Sequence, residues 1–226
     1  MHFTPIWIVT FCVFCVCSLA IIFLAKFTTK PVDSYNFSFK RVFPFEVIKD
    51  NEKIVTIYRV LLCVFVAASF APLFNLLTNY GQIANVQGLS IAICCIYGFA
   101  AICFAFLHYF DATHALAHIV LFVIFLCLTL LGNLLAATKG FSVYQIYLKH
   151  DQNYIVALVG AIISGLCGLV CVITSLNPRL KNWAALQRID NQVVRPKVFI
   201  LAFSEWITFF MLVVGEASYF LVLLIQ

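Results

Sequence analysis

His108-Tyr109-Phe110-Asp111-Ala112-Thr113-His114-Ala115-Leu116-Ala117-His118 interrupts, near its middle, a run from Leu89 to Ala137 that is otherwise almost wholly apolar. That run is too long for one membrane crossing and fits two helices of roughly 20 residues each, so the chain must turn back on itself here. The turn carries His108, Asp111, His114 and His118, the only Asp, Glu, Lys, Arg or His in the run. Polar groups at a membrane boundary can be solvated, but His118 falls about one to two turns into the second helix, where an idle ionisable group is disfavoured. The hairpin is the first candidate for a functional site.

Composition extends this reading to the whole chain. With 64% hydrophobic residues, 10% charged residues, 24 Phe and a mean hydropathy of +1.06, 226 residues offer too little polar surface to cover a soluble globule. The expected fold is all-α: a polytopic membrane protein with six transmembrane helices in a single bundle, spanning about 5–25, 54–77, 89–107, 112–137, 154–176 and 198–225. The net charge of +5 is concentrated in two loops and reads as an orientation signal or headgroup contact, which excludes a nucleic-acid footprint. Ser18-Leu19-Ala20 offers small residues for signal cleavage. There is no basic region ahead of it, however, and the apolar run continues to Leu24, so the first helix is expected to be retained.

The first long loop, Lys26 to Lys53, is mixed in charge and contains the glycosylation triplet Asn36-Phe37-Ser38. Phe43-Pro44-Phe45 within it reads as part of an ordinary solvated loop, with an irregular stretch in the headgroup region as the alternative. Lys139 to Asn153 reads as the connection between the fourth and fifth spans. Gly160, Ser164, Gly165 and Gly168 in the fifth span are small residues that admit a neighbouring helix closely, a packing role. All 10 cysteines fall inside predicted spans and are expected to act as small apolar side chains rather than as a disulfide framework.

Six spans put the loops after the first, third and fifth helices on one side. Counted inward from that side, Arg59 lies about 5 residues into the second span, His118 about 6 into the fourth and Glu205 about 7 into the sixth, all roughly 7 to 11 Å deep. A charged Arg or Glu alone at such a depth costs about 2.5 to 3.5 kcal/mol on insertion scales, a cost that falls when opposite charges pair. Arg59 with Glu205, or Arg59 with Asp111, is the natural pairing. Glu216 stands about 16 Å further along the sixth helix, in the other leaflet, with Asn75 or Asn133 as candidate partners.

Two chemistries fit the cluster. In the first, a histidine acts as general base toward a hydroxyl of a lipid headgroup or acyl carrier while Arg59 holds a phosphate. Here His114, Asp111 and Glu205 are the candidate catalytic residues, and Arg59, His118 and His108 the candidate substrate-binding residues. In the second, His108, Asp111, His114 and His118 bind a metal that activates water for lipid hydrolysis. No HExxH-like signature is present, so the first reading leads, with no metal and no cofactor expected.

Tyr58-Arg59-Val60 ahead of an apolar helix reaching Pro72, Phe110-Asp111-Ala112-Thr113-His114 leading into Ile119 to Phe125, and Phe203-Ser204-Glu205-Trp206 opening the last helix together resemble the Frag/DRAM/Sfk family of six-span membrane proteins. Within that family they look most like the post-GPI-attachment-to-proteins factor two type. The resemblance implies an integral membrane protein of the Golgi or endoplasmic reticulum that takes part in remodelling the lipid of glycosylphosphatidylinositol (GPI) anchors, at the reacylation of a lyso-form. Its partners would then be membrane lipids and GPI-anchored proteins, and carry-over points to Arg59, His114 and Glu205. The DRAM-like branch implies instead a non-enzymatic lysosomal adaptor tied to autophagy. Lys/Arg residues number 11 in the loops on the cluster side against two on the other, which by the positive-inside rule makes the cluster cytosolic, whereas the family as usually drawn makes it lumenal.

Overall fold

The computed structural model describes residues 5–28, 38–44, 52–78, 87–108, 115–148, 154–181, 187–189, 192–194 and 198–224. Six helices dominate: α1 (Pro5–Thr28), α2 (Glu52–Thr78), α3 (Gln87–Leu107), α4 (Ala115–Leu148), α5 (Tyr154–Ser175) and α6 (Ile200–Leu224). Each is long and apolar enough to cross a membrane, and together they form an all-α bundle. Between α5 and α6 lie a short 3-10 turn, Pro178–Lys181, and a small antiparallel hairpin of β1 (Gln187–Ile189) and β2 (Gln192–Val194) with Arg188 opposite Val193.

Helices adjacent in sequence pack side by side, and α6 closes the bundle by touching α1, α3, α4 and α5. In its membrane-spanning segment 61% of residues are buried inside the protein, against 22% for α1, so α6 is the central helix and α1 a peripheral one. Aromatic rings carry the packing around it. Phe209 of α6 stacks on Phe104 of α3 at 4.3 Å between centroids and lies 5.8 Å from Phe65 of α2, which stacks in turn on Phe14 of α1 at 5.4 Å. Ring pairs of this kind add about 0.5 to 1.5 kcal/mol beyond their buried area. Outside the bundle α5 presents Ile155, Ile162, Leu166, Leu169 and Ile173, a face suited to lipid.

The observed helices depart from the expected spans most at α4, which continues to Leu148 rather than ending near residue 137. Lys139 and Gly140, read as the start of the connection, lie inside the helix, and Gly140 is packed against α5. The Lys139 side chain is fully covered, and a Cβ at Gly140 would stand 2.9 Å from Ala161 Cβ, so the two backbones approach as only glycine allows. At 1.5 Å per residue α4 is about 50 Å long, well beyond a hydrocarbon layer of roughly 30 Å.

The second departure is at residues 38–44. Val42, Phe43 and Pro44 are buried rather than solvated. This segment folds across the end of the bundle. Its Lys40 carbonyl accepts a 2.6 Å hydrogen bond from the Phe199 backbone N–H ahead of α6, and its Val42 carbonyl accepts one from Trp206 Nε1–H at 2.8 Å. Phe39 meets the Trp206 ring edge-on at 5.0 Å, and Phe43 meets Phe199 at 4.9 Å. The chain ends that follow α1, α3 and α5 thus converge at one end of the bundle.

Candidate functional site

Beneath this cap, His118 of α4 and Glu205 of α6 form the central contact of the site. Nε2 of His118 lies 2.7 Å from Oε1 of Glu205, and both side chains are fully buried. With the Glu205 carboxyl ionised, Nε2–H donates and Oε1 accepts. A carboxylate held on one imidazole nitrogen fixes the tautomer of the neutral ring and orients it. The Phe43 ring covers His118 edge-on at 5.8 Å.

A second histidine closes the neighbouring side. His108, just past the end of α3, directs Nδ1 to the Phe104 carbonyl at 2.9 Å and Nε2 to the Tyr58 hydroxyl of α2 at 2.8 Å. A carbonyl can only accept, so Nδ1 carries the hydrogen and, in the neutral ring, Nε2 accepts the Tyr58 proton. Burial pushes the His108 pKa down to about 4, with the nearby His118 adding slightly to the effect and backbone carbonyls opposing it. His108 is therefore neutral at physiological pH, and both of its ring nitrogens are occupied. That removes it from the set of metal ligands. Among the described residues no group of three or more His, Cys, Asp or Glu side chains is placed to hold a metal ion.

Arg59 is placed by α2 itself, one of its two expected partners, Asp111, lying outside the described residues. It follows Tyr58 by one residue, about 100° around the helix, so with Tyr58 turned into the bundle Arg59 is turned out. Instead of joining Glu205, whose Oε1 is held by His118, it lines an open cleft of about 330 Å³ between α2 and α3. The rest of the wall is Leu62, Cys63, Val66, Ile102, Ala105 and Phe106, apolar except at the Arg59 end. The structure thus brings His118 and Glu205 together, sets His108 beside them with Tyr58, and puts Arg59 on the outer side of the Tyr58–His108 wall. Asp111 and His114, like Asn36 and Phe37 of the glycosylation triplet, lie outside the described residues.

Three contributors escape sequence reasoning. Phe43 and Trp206 act through the cap, and the run Val42-Phe43-Pro44-Phe45 is the signal for it, four consecutive apolar residues in a loop that carries six Lys/Arg and four Asp/Glu. Tyr58 is the third, and nothing local marks it as the partner of a histidine 50 residues away. On the far side of the bundle the candidate partners of Glu216 also change: Ser69 Oγ–H donates to its Oε2 at 3.2 Å, while Asn133 Oδ1 accepts from the Tyr97 hydroxyl at 3.1 Å. The side chain of Asn75 is outside the described set.

The chain matches no family model, no curated protein and no solved structure.

Proposed function

We propose that this membrane protein handles a phosphate-bearing lipid, and that the process it serves is the remodelling of GPI-anchor lipid, at the step where a lyso-form regains a fatty chain. The observation that carries the reading is the α2–α3 cleft: a lipid-facing, apolar-walled cavity of about 330 Å³ with one guanidinium at its end. A cavity of this size falls within the range of small-ligand sites, and guanidinium is the side chain best matched to a phosphate. In this reading an acyl chain lies along Leu62, Val66, Ile102 and Phe106 while Arg59 holds the headgroup phosphate. Across the Tyr58–His108 wall, the His118–Glu205 dyad supplies a carboxylate-oriented imidazole, the arrangement that general-base catalysis requires. The chain would then reside in the Golgi or endoplasmic reticulum.

One observation favours a second reading. The dyad is fully buried and Phe43 covers it, so in this conformation no substrate reaches it. A protein that binds lipid at Arg59 and assists a separate enzyme, as a membrane adaptor, needs no access to His118. Mass spectrometry of the lipid on a GPI-anchored reporter tests both readings. If the first is right, cells lacking the protein accumulate the lyso-form, wild type restores the remodelled chain, and neither Arg59→Ala nor Glu205→Gln does so in a correctly localised protein. Rescue by Glu205→Gln but not by Arg59→Ala leaves the adaptor. An unchanged lipid profile in cells lacking the protein removes the GPI reading altogether.

A further inference from the structure

One turn deeper than Glu205 on α6 stands Phe209, and two turns deeper than His118 on α4 stands Phe125, with Phe104 of α3 at 4.3 and 5.6 Å from these two rings. All three rings are fully buried and belong to three helices, so a path to the dyad from that side would separate the bundle itself. The outer side is closed differently. Its cover is the segment 38–44, which belongs to no spanning helix. The Phe43 ring lies edge-on over His118 at 5.8 Å, and the Pro44 carbonyl approaches His108. The segment is also braced within itself. The Arg41 and Val42 backbone N–H groups both donate to the Ser38 carbonyl, at 2.9 and 3.0 Å, and the Lys40 N–H donates to Ser38 Oγ at 3.3 Å. These bonds stay made if the segment moves as one body.

Its ties to α6 are of a kind that can be exchanged. The Val42 carbonyl accepts from Trp206 Nε1–H and the Lys40 carbonyl from the Phe199 N–H, while Phe39 meets the Trp206 and Phe210 rings edge-on at 5.0 and 5.7 Å. Both donors find other acceptors at a membrane boundary. An indole N–H suits the wet side of the interface, and the Phe199 N–H, one residue ahead of α6, is open to water or a headgroup oxygen. Phe39 and Phe43 would pass into lipid rather than into water, which keeps most of the free energy of their burial. We propose that residues 38–44 form a lid that swings off the dyad as a unit, with Phe43 as its plug and the Trp206–Val42 hydrogen bond as its latch, so that a lipid reaches His118 and Glu205 only when the lid is open. The gating of chemistry rests on the catalytic reading of the dyad given above; the movement of the lid does not.

The test is labelling of His118 by diethyl pyrocarbonate, read by peptide mass spectrometry on the purified full-length chain in lipid nanodiscs. Phe39→Cys/Phe210→Cys carries a lock: a short, reducible thiol cross-linker ties the segment to α6, and wild type treated alike controls for the 10 native cysteines. His118 becomes labelled in the unlocked protein, the lock slows the labelling by about tenfold or more, and reductant restores it. Trp206→Phe, which removes the latch bond, speeds labelling by about fivefold. A chain that never labels at His118, or a rate that the lock leaves unchanged, overturns the proposal. If the double-cysteine variant cannot be produced, Trp206→Phe decides alone, and labelling no faster than in wild type overturns it. Labelling does not depend on any lipid product. Gated labelling with an unchanged reporter lipid in cells lacking the protein keeps the lid and removes the GPI reading, whereas remodelling that continues at full rate with the lock in place refutes the lid as a gate.

Discussion

Replacing His118 by Leu removes the imidazole N–H that sits 2.7 Å from Glu205 Oε1 and leaves the carboxyl in a fully covered position. In soluble proteins, breaking a buried ion pair from one side costs about 3 to 5 kcal/mol, because the remaining charge has lost its compensation. In membranes the unfolded helices also find polar partners, and measured interhelical hydrogen bonds average about 0.6 kcal/mol with a maximum near 1.7. Full burial of both partners and the short distance put this pair near the top of the membrane range. The expected cost of His118→Leu is therefore about 2 kcal/mol. Glu205→Leu leaves a neutral N–H instead of a carboxylate and should cost less, about 1 kcal/mol.

The double variant His118→Leu/Glu205→Leu removes both polar groups and should return to within about 1 kcal/mol of wild type, since apolar replacement of a whole buried pair is often neutral. Trp206 is buried next to Glu205 in sequence, so with Trp7 and Trp183 replaced by Phe its fluorescence follows unfolding at the site itself. Titration with denaturant in mixed micelles would then give all three values. The reasoning fails if each single variant costs under about 0.5 kcal/mol, or if the double costs the sum of the singles, because additivity means that the two side chains do not interact. Lipid remodelling by the double variant separates stability from chemistry. A stable protein without activity makes the dyad chemical, and a stable, active one makes it structural.

Phe43→Ala should cost about 3 kcal/mol by opening a cavity over His118, and it should expose residues 38–44 to limited proteolysis; an unchanged cleavage pattern would mean that the cap is held without it. Gly215→Ala would drive a methyl group into the Asn133 amide, at an expected cost of about 2 kcal/mol in wild type and under about 0.5 in an Asn133→Ala background, read by thermal unfolding of the two pairs. His108 gives a pH dependence. Its folded pKa of about 4 lies below the unfolded value of 6.5, so the unfolded chain binds the extra proton in between, and stability is lost as pH falls through that window. His108→Gln should flatten the stability profile between those limits, and a profile identical to that of wild type would show that His108 is not its source.

The six spans are legible because 18 or more consecutive apolar residues have no other stable use in so hydrophobic a chain. Depth was legible too. Arg59, His118 and Glu205 are each a few residues from the same end, and the rise per residue converts that count to a level in the membrane. Azimuth was not. Whether Arg59 or its neighbour Tyr58 faces inward depends on how α2 is rotated, and that is set by the burial of Tyr58, Leu62 and Phe65 on its inner face. Hence Glu205 meets His118 at the expected level, while the Arg59–Asp111 alternative falls outside the described residues. The far end of α4 fails for a related reason. Lys and Gly ordinarily end an apolar helix, and only the contact of Gly140 with Ala161 shows that here they extend one.

Glu205 and Glu216 also explain why a central helix should tolerate two carboxyl groups. Eleven residues make just over three whole turns, so the two fall within about 20° of one another on α6, in one inward stripe with Phe209, Leu212 and Tyr219, all buried. Each is bound to a different neighbour, Glu205 to α4 through His118 and Glu216 to α2 through Ser69. Between apolar helices in lipid, no hydrophobic driving force selects one rotation over another, and van der Waals packing alone discriminates weakly between registers. Two polar contacts about 16 Å apart on one stripe remove that freedom, because a slide of one residue rotates α6 by about 100° and breaks both at once. The ionisable groups thus define the register of the helix that every other element packs around. Substituting both carboxyls by Leu should therefore loosen the orientation of α6, seen as broadened distances from spin labels on α6 and α4, even where total stability is retained.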